Sequence, residues 1–138
     1  MIRSLTVGLL LLPACALCAE EGEWEAPAEA LKVKNPVPAD ARSIARGKEV
    51  YTQECLSCHG AKGKGDGDAA ATLKKKPADL SQTASDPDGE LFWKITEGRR
   101  PMPRFGKRLS EEERWSVINY VRTLTPKSQE KEKPGDKP

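Results

Sequence analysis

The most informative stretch of the chain is residues 55–59, which read Cys55-Leu56-Ser57-Cys58-His59. Side chains three residues apart lie on the same face of a helical turn, so the two thiols of this stretch point the same way. His59 follows directly and is the only histidine of the 138-residue chain. Two parallel thiols beside one imidazole are suited to holding a single flat cofactor by its edge and by its metal.

C-x-x-C-H is the attachment pattern of c-type haem. Cys55 and Cys58 would form thioethers with the two vinyl groups on one haem edge, and His59 would be carried under the iron as the proximal ligand. Because the pattern occurs once, we expect one covalently bound haem c.

Three other uses of a close cysteine pair are less consistent with the sequence. A thioredoxin-like redox pair is expected beside a βαβ pattern, which this sequence lacks. A structural zinc site needs four ligands, and no second cysteine pair or second histidine follows. A plain disulfide in an exported domain would leave the adjoining His59 without a role.

Met102 is the expected sixth ligand of the iron. Methionine paired with histidine is a known axial set that raises the reduction potential, and Met1 is lost if the leader is cleaved. Pro101 and Pro103 flank Met102 and would hold its loop stiffly. The alternative is that Met102 only fills a gap in the core. Ligands on both faces leave no open site, which predicts a one-electron carrier and not an enzyme.

The first 19 residues resemble a cleavable signal peptide. Arg3 precedes an apolar run over residues 5–12, which is too short for the roughly 20 residues that span a bilayer. Two cleavage sites remain open: one near Ala16-Leu17-Cys18, and a lipobox, Leu12-Pro13-Ala14-Cys15, in which Cys15 would carry a lipid anchor. Either one predicts an exported, periplasmic protein, and the lipobox would add membrane association through the anchor.

Composition divides the rest of the chain into three parts. Residues 20–39 are rich in Glu, Ala and Pro and are expected to form a flexible tether. Residues 40–125 carry the periodic apolar pattern of a folded domain. Residues 126–138 are charged and contain proline, which predicts a disordered tail.

Three helices are expected in the domain, and no stretch alternates as a strand does. Asp40 would cap the first helix, which runs into Cys55. The second would begin at Asp86-Pro87 and end at Gly98. The third would begin with the capping box over residues 110–113 and end before Pro126.

With these features, residues 40–124 resemble a class I cytochrome c domain, the small monohaem bacterial and mitochondrial type. Gly47, Tyr51 and Cys55 stand at the spacing of that family's first helix, and Tyr120 matches the aromatic of its last helix. The resemblance implies an all-α fold wrapped around one covalently bound haem c, in which these two helices cross at Gly47. It also implies that the Pro77 carbonyl accepts a hydrogen bond from the ring of His59.

Charge gives the remaining expectation about partners. The chain has 23 Lys and Arg against 21 Asp and Glu, so nothing favours nucleic acid as a partner. Cationic residues gather near the haem-bearing loops and would form a basic rim for an acidic redox protein, while Arg99 or Arg104 could pair with a haem propionate. The rim consists of Lys62, Lys64, Lys74, Lys75, Lys76, Arg99, Arg100, Arg104, Lys107 and Arg108. A mobile or tethered carrier is the main interpretation, and a fixed cytochrome subunit of a larger membrane oxidoreductase is the alternative.

Overall fold

The structure is a computed structural model that describes residues 24–126. Over that range every regular element is helical, which confirms the expected all-α class. The α-helices are α1 (Ala28–Leu31), α2 (Ala41–Glu54), α3 (Leu56–His59), α4 (Asp88–Glu97) and α5 (Glu111–Thr123), with short 3₁₀ helices at Ala70–Thr72 and Leu80–Ser85.

The two long helices begin at the residues that the sequence indicates. The Asp40 carboxylate accepts the backbone N–H of Ser43 at 2.8 Å, and the Ser43 hydroxyl accepts the N–H of Asp40 at 3.2 Å. That backbone bond lowers the pKa of Asp40 below its ordinary value. At α5, Ser110 and Glu113 form the same reciprocal box. Both boxes satisfy N–H groups that a helix start leaves without partners.

Helix α4 begins later than expected. Asp86 does not cap it; Pro87 occupies the N-cap position and offers no side-chain hydrogen bond. The reason is that Asp86 closes the preceding 3₁₀ helix, with its N–H donating to the Thr83 carbonyl at 3.1 Å. The expected end is confirmed, since Gly98 follows the helix with φ of 59°.

Helices α2 and α5 cross in direct backbone contact at Gly47. A Cβ at this position would lie 1.9 Å from the Ser116 carbonyl oxygen, so only glycine fits. Beside the crossing the rings of Tyr51 and Tyr120 pack at 5.1 Å with a 60° tilt. The implied helix crossing and the core role of both tyrosines are confirmed, and the core continues through Val50, Val117, Val121 and Leu124.

The segment expected to be a flexible tether differs from that expectation over residues 24–39, which we call the N-terminal strap. The Asn35 side-chain amide donates to the Trp115 carbonyl at 3.3 Å and to Asn119 Oδ1 at 2.8 Å. Val37 packs against a second core cluster of Leu91, Trp115 and Ile118. Apolar and amide contacts of this kind offset the entropy that an extended segment loses on packing. Composition alone did not reveal these partners.

The signal peptide of residues 1–19, the lipidation of Cys15 and the charged tail beyond residue 126 lie outside the described residues. Between residues 24 and 126 no helix is long and apolar enough to cross a bilayer.

We expect Gly47→Ala to destabilise the fold. In an open helix this change stabilises by about 1 kcal/mol, because alanine has the better helix propensity. Here the added methyl meets the Ser116 carbonyl, and overpacking of this kind costs about 1–3 kcal/mol. Urea unfolding of the haem-loaded protein would measure the change.

The control for that variant is Ala45→Gly at an exposed position of the same helix. It should cost about 1 kcal/mol through propensity alone. A Gly47→Ala protein as stable as the wild type would contradict the close crossing.

Candidate haem site

The turn that carries the haem motif continues directly from α2. Helix α2 ends at Glu54, Cys55 follows with φ of −117° and ψ of −33°, and α3 forms one further turn. The N–H groups of Cys58 and His59 both donate to the Cys55 carbonyl, at 3.2 and 2.9 Å. Cys55 and Cys58 are not joined by a disulfide. The crossing at Gly47 therefore also fixes where the motif lies.

The imidazole of His59 is oriented by a backbone carbonyl. Its Nδ1 lies 3.1 Å from the Ala78 carbonyl oxygen, which fits an Nδ1–H donor and leaves the Nε2 lone pair for a metal. Burial lowers the pKa of His59, although the Ala78 hydrogen bond opposes that shift. A neutral imidazole is the form that binds iron.

The family resemblance implies that the Pro77 carbonyl accepts the hydrogen bond from the His59 ring. In the structure the carbonyl of the next residue, Ala78, accepts it instead. The Pro77 carbonyl instead faces Gly65, where a Cβ would lie 2.3 Å from that oxygen. Neighbouring carbonyls in an extended segment point in different directions, so only one of the two can face the ring. Sequence spacing alone did not reveal which one.

The glycine-rich loop after His59 stabilises the motif turn through backbone hydrogen bonds. The N–H groups of Gly65, Gly67 and Ala69 donate to the carbonyls of His59, Cys58 and Ser57 at 2.9, 3.1 and 2.8 Å. A Cβ at residue 67 would lie 2.3 Å from the Ser57 oxygen, and Gly65 has φ of 69°, so the loop needs its glycines. It is a structural support for the turn.

A buried tyrosine fixes the start of this loop. The Tyr51 hydroxyl donates to the Gly60 carbonyl at 2.7 Å. Burial raises the pKa of Tyr51, so the phenol stays a protonated donor at neutral pH. Tyr51 thus links α2 to the residue that follows His59.

A cavity of about 310 Å³ opens over the motif. All five expected site residues line it: Cys55, Cys58, His59, Pro77 and Met102. Met102 reaches the cavity on the loop between α4 and α5. The Met102 N–H donates to the Arg99 carbonyl at 2.9 Å, and the Phe105 N–H returns to the Ile95 carbonyl at 3.1 Å.

The donor set in this cavity fits a c-type haem. It offers two unbridged thiols, one imidazole with a free Nε2 and one thioether. Burial, and then the Glu54 carboxylate, raise the pKa of the Cys55 thiol to about 12. A reactive redox thiol needs the opposite shift, which disfavours that alternative. No group of three or more acidic, cysteine or histidine side chains within residues 24–126 is arranged to hold a metal ion.

Two aromatic residues of the cavity were not predicted from the sequence. Phe105 is 2% exposed and lines the cavity from the loop after Met102, and Trp24 lines it from the N-terminal strap. The other tryptophans pack elsewhere: Trp93 lies against Trp24, and Trp115 stacks on Phe92 at 3.9 Å. In the sequence, Trp24 lies in a segment whose Glu, Ala and Pro content predicts a flexible tether, so nothing there indicates a contact with the cavity.

Some of the cationic residues predicted for the rim line the cavity. Four of the ten predicted rim residues line the cavity: Lys75, Lys76, Arg99 and Arg100. Arg108 instead forms an ion pair with Glu54 at 2.7 Å and lies over the Phe105 ring at 5.4 Å. Glu54 is itself a lining residue, so Arg108 balances an acidic group at the cavity edge.

A family model matches the part of the chain that contains this cavity. Residues 42–121, more than half of the chain, match the family model described as cytochrome c oxidase, cbb3-type, subunit III. The chain belongs to the c-type cytochromes. The matched range contains the motif, the glycine-rich loop and Met102, and it confirms the resemblance to a class I monohaem cytochrome.

Curated relatives lead to the same family. This cytochrome is 40% identical over 75 residues to cytochrome c6 of Microcystis aeruginosa, covering 54% of this chain and 89% of the relative. It is 38% identical over 84 residues to cytochrome c6 of Rippkaea orientalis, covering 61% and 73%. The chain is thus an electron-transfer protein with one covalently bound haem c, and not an enzyme.

Solved structures share the fold. A chain of the Kuenenia stuttgartiensis reducing HAO-like protein complex superposes with a TM-score of 0.59 at 32% identity, covering 69% of this cytochrome and 48% of that chain. This cytochrome therefore spans about half the length of that relative. A second structure, described as a c-type cytochrome, gives a TM-score of 0.50 at 26% identity, covering 57% of this chain and 96% of the other.

Replacing one motif cysteine should leave haem attached through a single thioether. In Cys58→Ala one vinyl group stays unmodified and conjugated with the ring, which should shift the reduced-haem absorption band to longer wavelength. Mass spectrometry would show that one haem is retained, and Cys55→Ala combined with Cys58→Ala should lose covalent haem entirely.

The matched control is Ser57→Ala, an exposed residue between the two cysteines. Its spectrum and mass should match those of the wild-type holoprotein. A mature wild-type protein without the mass of a haem would contradict the site altogether.

Proposed function

We propose that this cytochrome carries single electrons between redox proteins outside the cytoplasm, with its haem iron ligated by His59 and Met102. Such iron changes between two oxidation states without opening a coordination position. His59 would hold the iron through Nε2, with its ring oriented by the Ala78 carbonyl. Met102 would supply a thioether ligand, which favours the reduced state.

The observation that carries the proposal is that Met102 lines the same cavity as His59 and both cysteines. Met102 is the only methionine of the chain apart from Met1, and His59 is the only histidine. A second imidazole from this chain is therefore excluded as a sixth ligand. The Met102 N–H bond to the Arg99 carbonyl gives its loop a defined turn. These features support Met102 as the donor.

The charges around the cavity support a protein partner with an acidic docking face. Lys75, Lys76 and Arg100 lie at the cavity lining, where a partner must approach for electrons to cross to the haem. Opposite charges across such an interface raise the association rate and make it dependent on salt. Arg99 also lines the cavity, and a haem propionate is a suitable acceptor for its guanidinium.

The N-terminal segment would decide the compartment in which this cytochrome acts. A signal peptide over residues 1–19 would direct the protein to the periplasm, and lipidation at Cys15 would hold it at a membrane. Mass spectrometry of the mature N-terminus distinguishes the two cleavage sites. Association as a fixed subunit would appear as stoichiometric co-purification with a membrane complex, and a freely exchanging carrier would separate from one.

Met102→Leu should remove the sixth ligand while keeping the volume of the side chain. We expect the far-red absorption band of methionine-ligated ferric haem to disappear and the reduction potential to fall, because the thioether no longer favours the reduced iron. Exogenous imidazole should then bind at the vacated position. Absorption spectroscopy and a redox titration would measure these changes.

The companion variant is Met102→Ala, which tests whether the loss depends on side-chain volume. It should give the same spectral loss. A wild-type protein that lacks the far-red band, or a Met102→Leu protein that keeps it, would overturn methionine ligation.

Reversing charge at Lys75 and Lys76 together should slow electron transfer to an acidic redox protein by roughly tenfold at low salt, with the difference shrinking as salt screens the charges. Stopped-flow rates at several ionic strengths would measure this.

The matched control is Arg42→Glu combined with Lys48→Glu, which changes the net charge by the same four units at two exposed residues of α2 that do not line the haem cavity. Equal slowing by both changes would show that net charge, and not the cavity rim, controls the rate.

A further inference from the structure

The N-terminal strap reaches the cavity through Trp24. This residue lines the cavity together with Cys58, His59 and Met102, although it is distant from all of them in sequence. Residue 24 also lies outside the range 42–121 that matches the family model. The contact is therefore a feature of this chain that the family match does not supply.

Trp24 is held in place by α4. Its ring lies 6.2 Å from that of Trp93, at a tilt of 54°, and Lys94 Nζ lies 5.9 Å from the centre of the Trp24 ring. Lys94 is itself paired with Glu90 one turn earlier on the helix. Aromatic packing and a cation over the ring both favour one orientation of the indole.

The rest of the strap is anchored as well. Helix α1 lies so close to the start of α4 that a Cβ at Gly89 would be 1.9 Å from the Ala30 carbonyl and 2.7 Å from that of Val33. Further along, Asn35 bonds to α5 through the Trp115 carbonyl and Asn119. These contacts hold the strap on the domain on both sides of α1.

The cavity lining shows what Trp24 contributes. Its surface is mostly apolar, although the charged residues Glu54, Lys75 and Arg100 also line it. Apart from the His59 imidazole, Trp24 and Phe105 carry the aromatic rings among its lining residues. Without Trp24, the strap side of the cavity would lose its large apolar surface and admit water.

We propose that Trp24 is a haem-contacting residue that excludes water from one side of the cofactor and so raises its reduction potential. Ferric haem carries one more positive charge than ferrous haem, and water stabilises the more charged form. Replacing water by an indole therefore favours reduction, which is how an apolar surround tunes a haem. The inference rests on haem occupying this cavity, and it holds whether or not Met102 is the sixth ligand.

The test compares Trp24→Ala with Trp24→Phe in the haem-loaded full-length protein. Trp24→Ala should lower the midpoint potential, and Trp24→Phe should restore most of the difference because a ring again covers the cavity. Imidazole should replace the sixth ligand several-fold faster in Trp24→Ala, since the cavity is more open. Leu31→Ala is the control, because Leu31 is a 41% exposed apolar residue of the same strap that does not line the cavity.

Each other outcome overturns the inference. A potential unchanged in Trp24→Ala, with or without lower stability to urea, would mean that Trp24 only anchors the strap. Equal shifts in Trp24→Ala and Leu31→Ala would mean that loosening the strap is the cause. A shift accompanied by loss of the far-red band would mean that the change acts through the iron ligand.

A failure of the proposed methionine ligation is recognised separately, because the wild type itself would then lack the far-red band. The comparison of Trp24→Ala with Trp24→Phe would still decide the role of the indole in that case.

Discussion

Helices α2 and α5 touch through their backbones at Gly47, where a Cβ would lie 1.9 Å from the Ser116 carbonyl oxygen, and the rest of the domain is arranged around this contact. The end of α2 carries the motif turn, so the crossing determines where Cys55 and His59 lie. Helix α5 in turn presents Trp115, on which Phe92 of α4 stacks at 3.9 Å. The loop that leaves α4 carries Met102 to the cavity. One close approach of two helices therefore locates both axial ligand candidates.

Backbone hydrogen bonds then hold the site rigid. The backbone N–H groups of the glycine-rich loop donate to the carbonyls of the motif turn, and the Ala78 carbonyl orients the His59 imidazole. Within residues 24–126 no buried side-chain nitrogen or oxygen lacks a hydrogen-bond partner. Asn119 illustrates this, since its amide donates to the Val37 and Pro38 carbonyls and accepts from Asn35. A buried amide with so many partners specifies one path for the strap, because any other path would leave it unsatisfied.

Electrostatics at the cavity depend on which cations the fold has already paired. Arg108 is committed to Glu54, and Arg122 binds Asp88 together with the Thr83 and Asp86 carbonyls. Lys75, Lys76 and Arg100 lie at the cavity lining beside the paired Glu54. Four of the ten predicted rim cations line the cavity: Lys75 and Lys76 on the segment after the glycine-rich loop, and Arg99 and Arg100 on the loop before Met102.

The sequence by itself determined the local features of this protein. A motif of five residues specifies the attachment chemistry, two capping boxes mark where α2 and α5 begin, and Gly98 marks the end of α4, because each depends on neighbours within a few residues. Tertiary structure decided what depends on residues distant in the chain. It selected Ala78 over Pro77 for the imidazole, moved the start of α4 past Asp86, and packed the strap so that Trp24 reaches the cavity. Composition described that strap as a tether because its partners, Trp93, Gly89 and Asn119, lie more than 50 residues away.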